Sequence, residues 1–231
     1  MSPVILVLGA GRNIGTGVAA RFGAAGYSVA VVSRSFPSPP SPDPQTGYFR
    51  IRADLSRPDD VKGAFAEVKK QFGAPPRVVV YNAANVSPPP DPENLFSLPL
   101  EVVEADLGLM NSGAWVAAGE AVKEWGEAGD SKGRFIYTGN ALNAKVLPVP
   151  ALVTLGIGKN AAWYWISLAD QVYKGKNGWR FFYADERKSN GDSVGNVPGA
   201  ESAGDFYLEL AEGGENLPST VTFVDGKYHK F

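Results

Sequence analysis

Seven consecutive residues, Gly9-Ala10-Gly11-Arg12-Asn13-Ile14-Gly15, follow directly on the apolar run Val4–Leu8. Glycines in such a place let the backbone turn sharply and approach a phosphate closely. A helix opening at Ile14 aims its free N–H groups and the positive end of its dipole at the same anion. That is the chemistry of a dinucleotide pyrophosphate site, although glycines also serve plain strand–helix turns. Three further places bear on it. Ser33-Arg34 closes the second apolar run. An acid there would grip a ribose 2′-OH, whereas Arg beside a small polar residue accommodates a 2′-phosphate. The pair favours NADP(H) over NAD(H), the alternative being an arginine solvated at a loop entrance. Asp54-Leu55 follows the third run and Asn82-Ala83-Ala84 the fourth. Singly, Asp54 reads as a loop or capping residue and Asn82 as a turn residue. In this order and spacing they mark the strand ends where open α/β sheets bind ligands.

Positioning those residues requires strands alternating with helices. Strands are expected at Val4–Leu8, Ser28–Ser33, Tyr48–Ala53, Arg77–Tyr81, Arg134–Thr138, Trp179–Ala184 and Thr220–Val224. Helices are expected between them at Ile14–Ala25, Pro58–Phe72, Leu100–Glu127, Leu155–Lys174 and Glu201–Ala211. The second helix shows its period plainly: Val61, Ala64, Phe65, Val68 and Phe72 fall on one stripe. Ser56 is placed to cap it, and Pro58 sits in its first turn, where a missing N–H costs nothing. The strand candidates are Val/Ile/Phe-rich without clean alternation, as expected when both sheet faces are covered. The expectation is an α/β fold: a single Rossmann-type, doubly wound parallel sheet of about seven strands flanked by helices, forming one NAD(P)-binding domain over residues 1–231. Two Pro-rich stretches, Phe36–Pro44 and Pro88–Pro92, read as surface loops.

Composition narrows the partners. With 231 residues, 44% hydrophobic and 20% charged, the chain suits one domain. A net charge of −2 without a basic run points away from nucleic acid and anionic membrane surfaces. Zero cysteines exclude disulfides and thiolate chemistry, and are compatible with the cytoplasm, the expected location. The opening Met-Ser-Pro-Val-Ile-Leu-Val-Leu-Gly reads as a first strand rather than a signal peptide. His229 is the single histidine, so no metal site is expected.

The chain resembles the short-chain dehydrogenase/reductase family over about residues 4–226. The family's TGxxxGxG loop corresponds to Leu8-Gly9-Ala10-Gly11-Arg12-Asn13-Ile14-Gly15, with Asn13 where the middle glycine usually stands. The acid that contacts adenine maps to Asp54, the NNAG segment to Tyr81-Asn82-Ala83-Ala84, and the VDG ending to Val224-Asp225-Gly226. The resemblance implies hydride exchange between a nicotinamide and a carbonyl or alcohol, with a Ser–Tyr–Lys set and an assisting Asn moving the proton.

That set is altered here. Asn140 occupies the Ser position, where its amide can still donate to a carbonyl oxygen. The YxxxK segment reads Leu155-Gly156-Ile157-Gly158-Lys159, so the lysine is kept and the tyrosine is leucine. The retained task of Lys159 is to bind ribose hydroxyls. The assisting Asn maps to Asn111, or, one register over, to Met110. After the sixth strand the family has Pro-Gly, and this chain has Tyr183-Ala184-Asp185-Glu186-Arg187. Asp185 or Glu186 is a candidate replacement acid, raised by apolar surroundings. The other reading is a loop anchor in which a carboxylate pairs with Arg187.

Three functions fit: an NADP(H)-dependent oxidoreductase of a small carbonyl or alcohol with an atypical active site, a catalytically silent dinucleotide-binding or regulatory protein, and a non-redox cyclase or isomerase on the same scaffold. Trp163, Tyr164 and Trp165 cannot all face one core, so some aromatic surface points outward and suits a homodimer or homotetramer. Gly191–Gly204 reads as a mobile lid.

Overall fold

Five apolar residues in a row, Val4–Leu8, are buried on both sides and form β1, as a strand covered by helices must be. In the computed structural model, which describes residues 2–195 and 197–231, the chain alternates as the sequence pattern requires. After β1 come α1 (Ile14–Ala24), β2 (Ser28–Val32), β3 (Ser41–Pro42), β4 (Phe49–Ile51), α2 (Pro58–Phe72) and β5 (Val78–Tyr81). Then follow α3 (Leu100–Leu107), α4 (Gly113–Ala128), β6 (Arg134–Thr138), α5 (Val153–Asn177), β7 (Arg180–Glu186), α6 (Ala200–Gly213), β8 (Thr220–Val224) and β9 (Lys227–Tyr228).

One sheet results, in the order β3-β4-β2-β1-β5-β6-β7-β8-β9. The seven strands from β4 to β8 run parallel, as expected of a doubly wound sheet. Two short antiparallel strands, β3 and β9, extend its edges. β3 lies inside the Pro-rich stretch read as loop, and Pro42 is tolerated there because an edge strand leaves one side unpaired. α2, α4 and α5 cover one face of the sheet around Phe65, Trp125 and Ile166. α1 and α6 cover the other around Phe22 and Phe206. The second pair packs very closely: a Cβ on Gly17 of α1 would stand 2.1 Å from the Ala200 carbonyl oxygen.

Three local expectations need correction. Ser56 does not cap α2; Arg57 is the N-cap residue, and the Ser56 hydroxyl donates to Asp54 Oδ1 at 2.8 Å. The helix expected over Leu100–Glu127 is present and runs without a break from Leu100 to Ala128, but it carries a π-turn, Gly108–Ser112, between α3 and α4 that shifts its register. The lid segment enters α6 at Ala200, because Ala203 and Gly204 pack onto α1. Asn196 of that segment lies outside the described residues.

The aromatic triplet of α5 divides as its helical spacing demands. The Trp163 indole N–H donates to Thr220 Oγ1, Trp165 packs edge-on to Trp115, and Tyr164 is exposed. α5 is fixed to β7 by the buried pair Arg180–Asp170, with Nε to Oδ1 at 2.7 Å, while Asp170 Oδ1 also accepts the Phe181 N–H. This anchor sets the depth at which the rest of α5 meets the sheet.

Candidate active site

β2 and β5 flank β1 on opposite sides, so the chain winds away in two directions from β1. The crevice at the carboxyl ends of β1 and β5 is the switch point where open α/β sheets take ligands. The loop after β1 is built to keep that crevice open. Gly9 has a φ of +98°, and a Cβ on it would stand 2.7 Å from the Ala83 backbone nitrogen. A Cβ on Gly15 would stand 2.7 Å from the Gly9 carbonyl oxygen. Gly11 differs: nothing lies within 4 Å of its Cβ position, so the mouth of the loop is bare.

Asn13 stands at the N-cap of α1 but makes no side-chain cap. Its amide instead donates to the Pro198 carbonyl at 2.8 Å, tying the loop to the segment after β7. The first N–H groups of α1 are thus free for an anion. Asn82 donates from Nδ2 to the Gly9 carbonyl at 2.9 Å and fixes the loop from the side of β5.

Two cavities open from this crevice. One of about 250 Å³ is lined by Gly9, Gly11, Ser33, Arg34, Leu55, Asn82, Ala83 and Ala84, among others. Arg34 is exposed there, as Arg12 is on the loop itself. Asp54 adjoins it, its carboxyl held below the usual range by the Ser56 hydroxyl and N–H. The other cavity, of about 400 Å³, shares Asn82 and Ala84 and adds Ile14, Asn85, Thr138, Asn140, Leu155, Lys159, Glu186 and Tyr207. A glycine-rich loop thus stands between two pockets that share Asn82 and Ala84, with open space at Gly11.

The second cavity holds the polar groups. Lys159 is 3% exposed, and its Nζ donates to the Thr138 carbonyl at 2.6 Å and lies 4.6 Å from the centroid of the Tyr137 ring. Burial pulls its pKa down to about 7 against the attraction of Asp185. Asn140 Oδ1 accepts the Leu142 N–H, which leaves the amide NH₂ as the free end of that side chain. The Asn140 backbone is locked to Tyr183, whose hydroxyl accepts its N–H and donates to its carbonyl. Tyr81, Tyr137 and Tyr183 stack across β5, β6 and β7 with centroids 5.8 and 5.9 Å apart, buried in the core and outside the lining of either cavity.

The remaining sequence candidates fall elsewhere. Asp185 does not line the cavity; it is 1% exposed and bound by Arg187 Nε at 2.6 Å, the loop-anchor arrangement. Burial raises its pKa, and its Oδ1 has no hydrogen-bond partner among the described residues. Asn111 and Met110 both lie in the π-turn and outside the cavity lining. Met110 is fully buried against Gly158, and Asn111 Oδ1 is enclosed without a partner among the described residues.

Sequence reasoning missed Thr138, Tyr207 and a clamp around Asp106. The Tyr207 hydroxyl reaches Thr138 Oγ1 at 3.0 Å from α6, a contact between residues 69 apart that no local pattern announces. Buried Asp106 accepts from Asn85 Nδ2 and from Thr154 Oγ1, both at 2.7 Å, and so joins the loop after β5 to the first turn of α5. A polar residue on the inner side of α3 was its only sequence signal.

No protein-family model matches the chain. The short chain dehydrogenase/reductase dmxR12 of Cryptosporiopsis sp. (strain 8999) is 36% identical over 239 residues, covering 97% of this chain and 93% of that protein. A short chain dehydrogenase from Burkholderia cenocepacia J2315, solved in complex with NADP, is similar with a TM-score of 0.76 at 19% identity, covering 97% of this chain and 96% of that one. A Brucella ovis oxidoreductase of the short chain dehydrogenase/reductase family, solved with a partially ordered NAD, gives a TM-score of 0.74 at 19% identity over 97% and 99% of the two chains. At such identities the two structures speak for the fold alone.

Proposed function

The chain belongs to the short-chain dehydrogenase/reductase family, and from that premise we propose that it binds NADP(H) and acts as an oxidoreductase on a small carbonyl or alcohol, with an atypical active site. The observation that carries this reading is the pair of cavities meeting at Asn82 and Ala84, one reaching Arg34 and the other Lys159. When bound, the dinucleotide supplies or accepts the hydride.

The chain's own residues do the rest. Gly9, Gly11, Gly15 and the first N–H groups of α1 hold the pyrophosphate, with Asn13 and Asn82 fixing the loop. Ser33 and Arg34 meet the 2′-phosphate with Arg12 nearby, Leu55 borders the adenine with Asp54 beside it, just outside the pocket lining, and Ile14, Ala83 and Ala84 wall the passage between the pockets. Lys159 holds the nicotinamide ribose, and the Asn140 amide donates to the substrate oxygen. Asn111 assists from the π-turn as a positioning residue, and Asp185 supports the substrate end through its pairing with Arg187.

Leu155 favours a second reading, in which the chain binds a dinucleotide without turnover, because this apolar side chain lines the cavity and the sequence resemblance assigns its position to the family's tyrosine. Titration with NADPH, NADH and their oxidised forms, followed by nicotinamide fluorescence, separates the cases when paired with a carbonyl panel. Binding with NADPH consumption supports the oxidoreductase. Binding without consumption over a broad panel supports the silent module, and no binding of any dinucleotide removes both. The same proposal places the protein in the cytoplasm as a homodimer or homotetramer. Its interface would be the apolar surface of α4 and α5 around Trp115, Leu168 and Val172.

A further inference from the structure

Most proton-bearing side chains around the substrate end of the crevice are already committed. The Tyr137 hydroxyl donates to the Met110 carbonyl, Tyr183 to the Asn140 carbonyl and Tyr207 to Thr138 Oγ1. Burial pushes all three phenols up, so they hold their protons tightly. Glu186 spends Oε2 on the Gly199 N–H, and Asp185 lies behind the cavity wall, bound by Arg187. Leu155, one turn before Lys159 on α5, lines the cavity with no proton to exchange.

Lys159 is the exception. One of its three N–H bonds goes to the Thr138 carbonyl, and the face of the Tyr137 ring accounts for a second direction. The side chain lines the cavity, which leaves a third N–H for a group bound there. We infer that Lys159 is the catalytic proton donor and acceptor of the reaction, its ammonium passing a proton directly to the substrate oxygen with no phenol between them. The inference rests on the oxidoreductase reading above.

In the reducing direction the Nζ–H bond breaks as an O–H bond forms on the substrate oxygen. The carbonyl carbon takes its hydride from the reduced nicotinamide, which leaves oxidised, and the neutral amine is re-protonated by water from the open crevice. Oxidation reverses each step. The group suits the task because a pKa of about 7 makes both forms accessible near neutral pH. The charged and titratable groups around it are Asp185 and Glu186 on β7, Asp185 being neutralised by Arg187, with Tyr137 on β6, Tyr183 on β7 and Tyr207 on α6. Of these, Asp185 alone opposes the loss of the proton appreciably.

The first test uses the protein without cofactor. Lysine ¹³Cε resonances are followed against pH, with Lys159 assigned by its disappearance in Lys159→Met. The expected midpoint lies two or more pH units below those of the other lysines; a midpoint among them overturns the inference. The second test is kinetic. Lys159→Met should lose turnover at saturating NADPH by about 10²- to 10⁴-fold, far more than the loss of NADPH affinity that follows from its hold on the nicotinamide ribose. Lys159→Arg should not restore turnover, since a guanidinium does not release its proton. Rescue by arginine, or a loss confined to NADPH affinity, would reduce Lys159 to a ribose-binding residue and overturn the proposal. Failure of the wild type to bind or consume NADPH is a different outcome: it removes the oxidoreductase reading and the inference with it.

Discussion

Arg187 Nε lies 2.6 Å from Asp185 Oδ2, and both side chains are under a tenth exposed. Arg187 also donates to the Gly191 carbonyl at 3.0 Å, so the pair fastens the segment after β7 to the sheet. Removing one member of a buried pair strands the other charge, which typically costs about 3–5 kcal/mol. Asp185→Ala is therefore expected to lower stability by roughly that amount in urea or guanidinium melts. Asp185→Asn keeps one acceptor for Arg187 and should cost less. If Asp185 is an anchor, turnover per folded molecule in Asp185→Asn stays within about tenfold of wild type. A loss of several hundredfold with unchanged stability would restore Asp185 as the acid.

Arg34 sits exposed on the rim of the smaller cavity, beside Ser33 and near enough to Asp54 to help hold its carboxylate charged. A charge-assisted hydrogen bond is worth about 1.5–3 kcal/mol, or roughly 10- to 100-fold in affinity. Arg34→Ala should weaken NADPH binding within that range and leave NADH binding nearly unchanged. The fluorescence titration reads both. Equal losses for the two cofactors would show that Arg34 does not read the 2′-phosphate.

The parts of this molecule legible in the sequence were those encoded locally. The glycines after β1, the apolar stripe of α2 and the unbroken apolar runs of β1 and β5 each state their structure within about a dozen residues. Asn82 was placed in the crevice by its strand end, whereas Asp54 falls beside the smaller pocket without lining it. The rest depends on contacts distant in the chain. Tyr207 reaches Thr138 across 69 positions and Asp106 reaches Thr154 across 48, so neither has a periodic signature. The π-turn at Gly108–Ser112 was hidden as well. One inserted residue rotates everything beyond it, and the sequence window still reads as helix. Strand alternation turns Asp185 and Glu186 onto opposite faces of the sheet, and of the two Glu186 lines the cavity.

The buried lysine links catalysis to stability with a definite sign. Lys159 is lowered in the folded protein from the usual 10.5 to about 7, so between those values the unfolded chain binds a proton that the folded one has released. Stability should therefore rise with pH across that window, by up to about 1.4 kcal/mol per pH unit from this group. The raised phenols of Tyr137, Tyr183 and Tyr207 act in the opposite sense, because the folded state keeps protons the unfolded chain gives up. Their contribution begins only near the ordinary phenol range of about pH 10. Urea melts of wild type and Lys159→Met between pH 7 and 9.5 isolate the lysine. The difference curve should slope upward for the wild type, and a flat difference would show that Lys159 titrates normally.

Trp115 is 64% exposed, yet its ring meets Trp165 edge-on at 5.6 Å, beside exposed Leu168 and Val172. The rings and aliphatic side chains line an apolar groove of about 290 Å³ across the outer faces of α4 and α5. Such a surface lowers its free energy by leaving water, at about 25 cal/mol per Å² of apolar area covered. In a two-fold dimer the same patch of both subunits meets itself, so one such face is enough to build the contact. Trp115→Glu places a charge at the centre of that face and should convert an oligomer to monomer in sedimentation or light scattering. Because Trp115 is mostly exposed, the folded monomer should survive, with far-UV circular dichroism unchanged. An oligomer that withstands the substitution would locate the contact elsewhere, and a wild type that is monomeric at high concentration would leave the α4–α5 face without the role assigned to it.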